Sequence, residues 1–283
     1  MFGFTIAIIV VGLLLFSKAL GKSNGYDATP PPETPVPQRG YQIFSGKTLD
    51  FDWYLLDKVL NKYFIYYQQL SHSEKDRFIA RLQQFIPTKT FIIPAADGYR
   101  EMPILVSASA IQLTFGLKDF LLPWFENICV HPAEYVLPNP LRTLAGNVSG
   151  NTITLSWKHF LTDYQNLDGV NVGLHEMAHA LQMQCEYFYK GKGKDFRETY
   201  DLLETLDEHI IARERAGTQP FYTSYALTST DEFWASSVEL FFEKPKQLCQ
   251  QYPEVYDLLK ALLKQDLTVS ESYPCIGHQS NNA

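Results

Sequence analysis

The stretch DGVNVGLHEMAHALQMQC, residues 168–185, carries two signals at once. Leu174, Met177, Ala178, Leu181 and Cys185 fall within an arc about 100° wide, the pattern of a helix with one face in a core. Off that stripe lie His175, Glu176 and His179, an HExxH. Residues four apart on a helix differ by about 40° in direction, so the two imidazoles leave one face and can hold one metal ion. Glu176 lies about 60° from His179, close enough to reach a metal-bound water yet aimed away from the ligand direction. Zinc suits such a donor set, because a catalytic zinc site keeps its fourth position for water. His175 and His179 are therefore expected as ligands of one catalytic Zn2+, with Glu176 as general base. Cys185 points away from the histidines and is read as core.

A third ligand has to come from elsewhere. TDEFWASSVELFFE, residues 230–243, reads as a second amphipathic helix. Its Glu232, Glu239 and Glu243 fall within about 20° of one line, with Trp234, Val238, Phe241 and Phe242 on the opposite side. A solvated acidic face looks the same, and Ser229-x-x-Glu232 also fits a capping box. Spacing alone leaves both Glu232 and Glu239 open as the ligand.

From Tyr41 onward the pattern is mostly helical, with apolar residues at three- and four-residue spacing over 51–70 and 73–85 and a helix start at Ser73. Residues 88–94 are strand-like, and 103–117 read as a buried helix. Strand-rich pieces broken by Asn-Pro and Gly-Asn turns lie between Cys129 and Lys158. Helices are expected over about 169–187 and 230–243 with a charged segment between them, and a last one from Pro253 through Lys264. The class is α+β, helix-dominated.

Hydrophobic residues make up 46% and aromatics 14%, which fills a core and excludes global disorder. The net charge, 24 − 31 = −7, leaves no basic footprint for nucleic acid. Cys129, Cys185, Cys249 and Cys275 are too sparse for a disulfide scaffold and lack the close pairs of a zinc ribbon, so reduced thiols are expected. Residues 2–16 (FGFTIAIIVVGLLLF) are uncharged, and Lys18 and Lys22 follow. Residues 1–22 are accordingly expected to form an uncleaved single-pass membrane anchor, and the one-sided lysines place the rest of the chain in the cytoplasm. Residues 23–40, rich in proline, read as an extended linker. Residues 41–272 are left for the metal-binding domain and 273–283 for a polar tail.

SWKHFLTDYQNLDGVNVGLHEMAHALQMQ, residues 156–184, resembles the segment of MtfA-type (Mlc titration factor A) zinc peptidases that reads SW, a spacer, then DG-N-v-HE-x-AH-x-L. YALTSTDEFWASSVELFFEKP, residues 225–245, is similar to their Tyr, six residues, Glu-Phe-Phe-Ala, two residues, Ser-Glu-x-Phe-Phe, then Pro. The resemblance covers 73–264 more loosely and leaves the N-terminal segment outside it. It implies a zincin-like metallopeptidase of the gluzincin type, with one Zn2+ held by His175, His179 and Glu232. It also places Tyr225 like the tyrosine that steadies the oxyanion in the related lethal-factor-like metallopeptidases. Trp234 stands where the second Phe is usual and Val238 where Ser is usual, marks of a divergent branch. Two functions follow as expectations. The first is a zinc-dependent peptidase acting on peptides or proteins through a metal-activated water. The alternative is a metal-binding regulatory protein with little turnover that binds a protein partner, as the member that names the family binds a glucose-responsive repressor.

Overall fold

The computed structural model describes residues 40–94, 101–138, 141–187, 194–217 and 220–268. Its first element is a strand, β1 (Tyr41–Ser45), ahead of the helical segments read from residue 51 onward. Helix α1 (Trp53–Tyr63) is capped by Asp52, whose carboxylate accepts from Leu55 N at 2.7 Å. The single helix expected over 51–70 is broken at Phe64, whose φ and ψ of −122° and 92° separate α1 from a short turn, α2 (Ile65–Gln68). The break seats the fully buried Phe64 ring on Tyr164, centroids 4.7 Å apart. Helix α3 (His72–Phe85) starts one residue earlier than the expected Ser73, because Ser71 and Glu74 form a reciprocal capping box.

Strand β2 (Thr90–Pro94) leads to α4 (Glu101–Thr114), in which every residue from Met102 to Thr114 is buried. A helix apolar on all sides belongs in an interior, so the buried helix read over 103–117 stands, with shifted ends. Strands β3 (Asn127–His131), β4 (Tyr135–Pro138), β5 (Leu141–Leu144), β6 (Gly146–Ser149) and β7 (Thr152–Ser156) follow. Five of the strands make one sheet in the order β1-β2-β3-β7-β6, and β4 with β5 forms a separate hairpin. The inner pairs β2–β3 and β3–β7 are parallel, while both outer strands run antiparallel to their neighbours. Gly150, at φ +55°, turns β6 into β7 and leaves β6 on the sheet edge. Alternate side chains, Ile128 and Val130 on β3 and Ile153 and Leu155 on β7, are buried in the core.

The remaining helices are α5 (Trp157–Gln165), α6 (Val172–Tyr187), α7 (Lys194–Ala216), α8 (Thr230–Glu243), α9 (Pro245–Gln251) and α10 (Pro253–Leu263). Helix α6 packs against β6, β7 and α4 and also meets α8. The HExxH helix thus lies between the sheet edge and the second acidic helix. The charged segment between the two motif helices is itself a helix, α7, of 23 residues. Tyr200, Leu203 and Ile210 form its buried stripe, but the buried acids Asp207 and Glu214 occupy positions in the same row. Those acids dilute the apolar period by which a helix is recognised.

Two expectations need correction. Residues 1–22, the expected membrane anchor, lie outside the described residues, as do 23–39 and 273–283. Among the described residues no helix is long and apolar enough to cross a membrane, which overturns the membrane localisation expected from residues 2–16. That run of fifteen residues also falls short of the roughly 20 that a spanning helix needs. Reduced thiols are found at Cys129 and Cys185, whereas Cys249, buried on α9, is disulfide-bonded. Distant spacing along the chain says nothing about proximity in space.

Candidate metal centre

The start of α6 is fastened on three sides. Asn171 is its N-cap: Oδ1 accepts from Leu174 N at 3.0 Å, and its carbonyl accepts from His175 N at 2.8 Å. Asp163 Oδ2 takes the next orphan donor, Val172 N, at 2.9 Å. The loop ahead of it is bound to α8: Asn171 N donates to Glu239 Oε1 at 2.7 Å, and Gly169 N and Asn171 Nδ2 donate to the two oxygens of Glu243 at 2.7 and 2.9 Å. Gly169 has φ +88°, a left-handed conformation that suits glycine and aims its N–H at that carboxylate. On the far side, Trp234 Nε1 of α8 donates to Ala178 O, inside the HExxH itself, at 3.0 Å. The Trp that departs from the family pattern therefore adds a latch between the two motif helices.

This framing brings the predicted residues together. His175 Nε2 and His179 Nε2 lie 3.2 Å apart, and Glu232 Oε2 lies 3.0 Å from the first and 3.5 Å from the second. All three side chains are buried, and their ligand atoms fall within 4.8 Å of one another. Glu239, the other candidate, sits behind the histidine instead, its Oε2 3.4 Å from His175 Nδ1. Glu243 serves the Gly169 loop. His179 Nδ1 is buried with no hydrogen-bond partner among the described residues.

The electrostatics ask for positive charge. Burial opposes charge on His175, yet Glu239 and Glu232 hold its pKa well above the ordinary imidazole value. Burial likewise works against the Glu232 carboxylate, but hydrogen bonds from His175 and His179 keep it well below the usual range. Two imidazole nitrogens and a carboxylate oxygen converging in a buried space fit a metal ion, which satisfies all three at once.

Glu176 stands beside this cluster, 1% exposed, with Oε2 unpartnered and its pKa pushed up by burial to about 7. The room for its side chain comes from Gly146 on β6, where a Cβ would stand 2.5 Å from Glu176 Oε1 and 2.6 Å from its Cγ. The Tyr225 ring centroid lies 5.9 Å from that of His175. Burial first, then the Glu232 charge and hydrogen bond, raise the Tyr225 hydroxyl well above its ordinary pKa, so it stays protonated.

Gly146 and Asn171 escaped the sequence reading. Asn171 carries a usable signal, a side-chain cap just ahead of an apolar-periodic run, concealed here by placing the helix start at 169. A glycine in a short strand carries none, because its need for space is set by a residue 30 positions away.

Among known proteins, an uncharacterized protein of Synechocystis sp. is 24% identical over 216 residues, 69% of this chain and 78% of its own length. Mlc titration factor A of Pectobacterium atrosepticum is 24% identical over 225 residues (70% and 81%), and that of Edwardsiella ictaluri 25% over 222 (70% and 82%). Residues 53–264, from the first turn of α1 to the end of α10, match the pattern of a peptidase family and include the buried His-His-Glu cluster. The chain belongs to the glucose-regulated metallo-peptidase M90 family.

Proposed function

We propose that this chain is a zinc-dependent peptidase that hydrolyses peptide bonds at the His175–His179–Glu232 cluster, with Glu176 as general base. The observation that carries this reading is the Glu176 carboxylate, buried and with one oxygen unpartnered beside three convergent ligand atoms. A purely structural metal site has no use for such a base.

His175 Nε2, His179 Nε2 and Glu232 Oε2 would hold the ion, and zinc when bound supplies a Lewis acid that polarises the scissile carbonyl and acidifies water. Glu176 takes a proton from the attacking water and returns it to the leaving amine nitrogen, a role suited to a carboxyl whose pKa burial has raised to about 7. Glu239 keeps the His175 proton on Nδ1, so that the Nε2 lone pair faces the cluster. The protonated Tyr225 hydroxyl donates to the oxyanion that develops on the carbonyl.

The test is metal removal. The purified full chain should cleave a mixture of fluorescence-quenched peptides, lose that activity on chelation and regain it on addition of zinc. A zinc-loaded protein that cleaves none of them would sink the peptidase reading. The relatives' name, Mlc titration factor A, points to the other reading, a regulatory protein that acts by binding a partner.

The contact at Gly146 gives a sharper check. Gly146→Ala places a methyl where the Glu176 side chain lies, so the carboxylate must move. Peptide hydrolysis should fall about 10-fold or more while zinc content stays at the wild-type level, since displacement of a catalytic group by about 1 Å costs up to roughly 10²-fold. Unchanged turnover in this variant would show that the position of Glu176 does not limit the reaction.

A further inference from the structure

The loop that carries Tyr225 is gripped from behind by the end of α7. Glu214, on the last turn of that helix, is 8% exposed and accepts from two donors. Its Oε2 takes Tyr222 N at 2.9 Å, and its Oε1 takes the Tyr252 hydroxyl, from the junction of α9 and α10. The next residue, Arg215, donates to Leu227 O. These two contacts bracket Tyr225, three residues before it and two after.

A third anchor comes from α8. The Tyr222 hydroxyl is 2.9 Å from Ser237 Oγ, and the Tyr222 ring packs on Phe233, centroids 4.8 Å apart. Phe233 is adjacent to Glu232, so the helix that brings Glu232 to the cluster also seats this loop. Within the loop, Thr228 N and Oγ1 both donate to Tyr225 O, at 3.0 and 2.7 Å, and close a tight turn around the tyrosine.

We infer that Glu214 and Arg215 are positioning residues that hold the Tyr225 hydroxyl at the oxyanion and so set the rate of the chemical step. The inference rests on the proposed role of Tyr225. A buried carboxylate committed to one backbone N–H and one phenol ties the loop to two separate helical elements. Removing it frees the loop at Tyr222 without touching a group that faces the metal cluster.

The experiment is a double-mutant cycle on the zinc-loaded full chain, read as kcat and KM for a peptide substrate. Tyr225→Phe deletes one hydrogen bond to the oxyanion and should lower kcat by about 10²-fold. Glu214→Ala should lower kcat by about 10-fold with KM and zinc content unchanged, and Glu214→Gln, which keeps an acceptor, should recover most of the loss. In the Tyr225→Phe background, Glu214→Ala should change kcat less than about twofold, because the group it positions is gone. Arg215→Ala, at an exposed side chain, should behave as a weaker Glu214→Ala and covers the case in which the buried substitution fails to fold. Wild-type kcat in both Glu214→Ala and Arg215→Ala, or losses just as large with Phe at 225, would overturn the clamp alone. Wild-type kcat in Tyr225→Phe would overturn the tyrosine's role, and the clamp with it.

Discussion

Glu176→Gln is expected to abolish most peptide hydrolysis while leaving bound zinc at the wild-type level. The substitution keeps nearly the same volume in a pocket bounded by Gly146, and it leaves both Nε2 atoms and Glu232 free to bind the ion. What it removes is the proposed base. A positioned general base contributes roughly 10²- to 10⁴-fold in rate, so turnover should drop by at least about 10²-fold. The two functional readings part here. A peptidase loses its activity in this variant, whereas a protein that works by binding a partner has no reason to. Turnover in Glu176→Gln equal to that of wild type would assign any measured hydrolysis to a contaminant or another site, and the binding reading would take its place.

Glu232→Ala should purify without metal, and Glu239→Ala should keep it. The two carboxylates lie on one face of α8, yet they meet opposite edges of the same imidazole. Glu232 faces the Nε2 atoms of both histidines, while Glu239 lies against His175 Nδ1. Loss of a carboxylate that only orients a ligand costs about 10- to 100-fold in metal affinity, so Glu239→Ala should still bind zinc stoichiometrically at micromolar protein but release it sooner to a chelator. His175→Ala should match Glu232→Ala. Stoichiometric zinc in Glu232→Ala, with loss in Glu239→Ala, would move the third ligand to Glu239.

Much of this was legible along the chain because it is local. The HExxH geometry follows from the 3.6-residue period, which sets the relative directions of His175, Glu176 and His179 whatever surrounds them. The largely apolar run that became α4 carries apolar residues on every side of the helix, which suits an interior. The blocks at residues 156–184 and 225–245 together carried the family resemblance, and the M90 match over residues 53–264 bears it out.

What stayed hidden depends on contacts between distant segments. Glu232 and Glu239 are seven residues apart, almost two full turns, so they point the same way and differ by about 10 Å along the axis. Only the way α8 crosses α6, held by Trp234 on Ala178 and by Glu243 on the Gly169 loop, decides which of them reaches Nε2. Helix α7 was invisible because Asp207 and Glu214 interrupt its buried stripe, and buried acids need partners that the sequence does not name. For Glu214 those partners are Tyr222 N and the Tyr252 hydroxyl. The sequence by itself determined how His175, Glu176 and His179 are set relative to one another, since a helix's own geometry relates them. The tertiary structure decided which carboxylate completes the cluster, where Tyr225 stands and why residue 146 must be glycine, because each of these is a distance between elements that meet only in the folded chain.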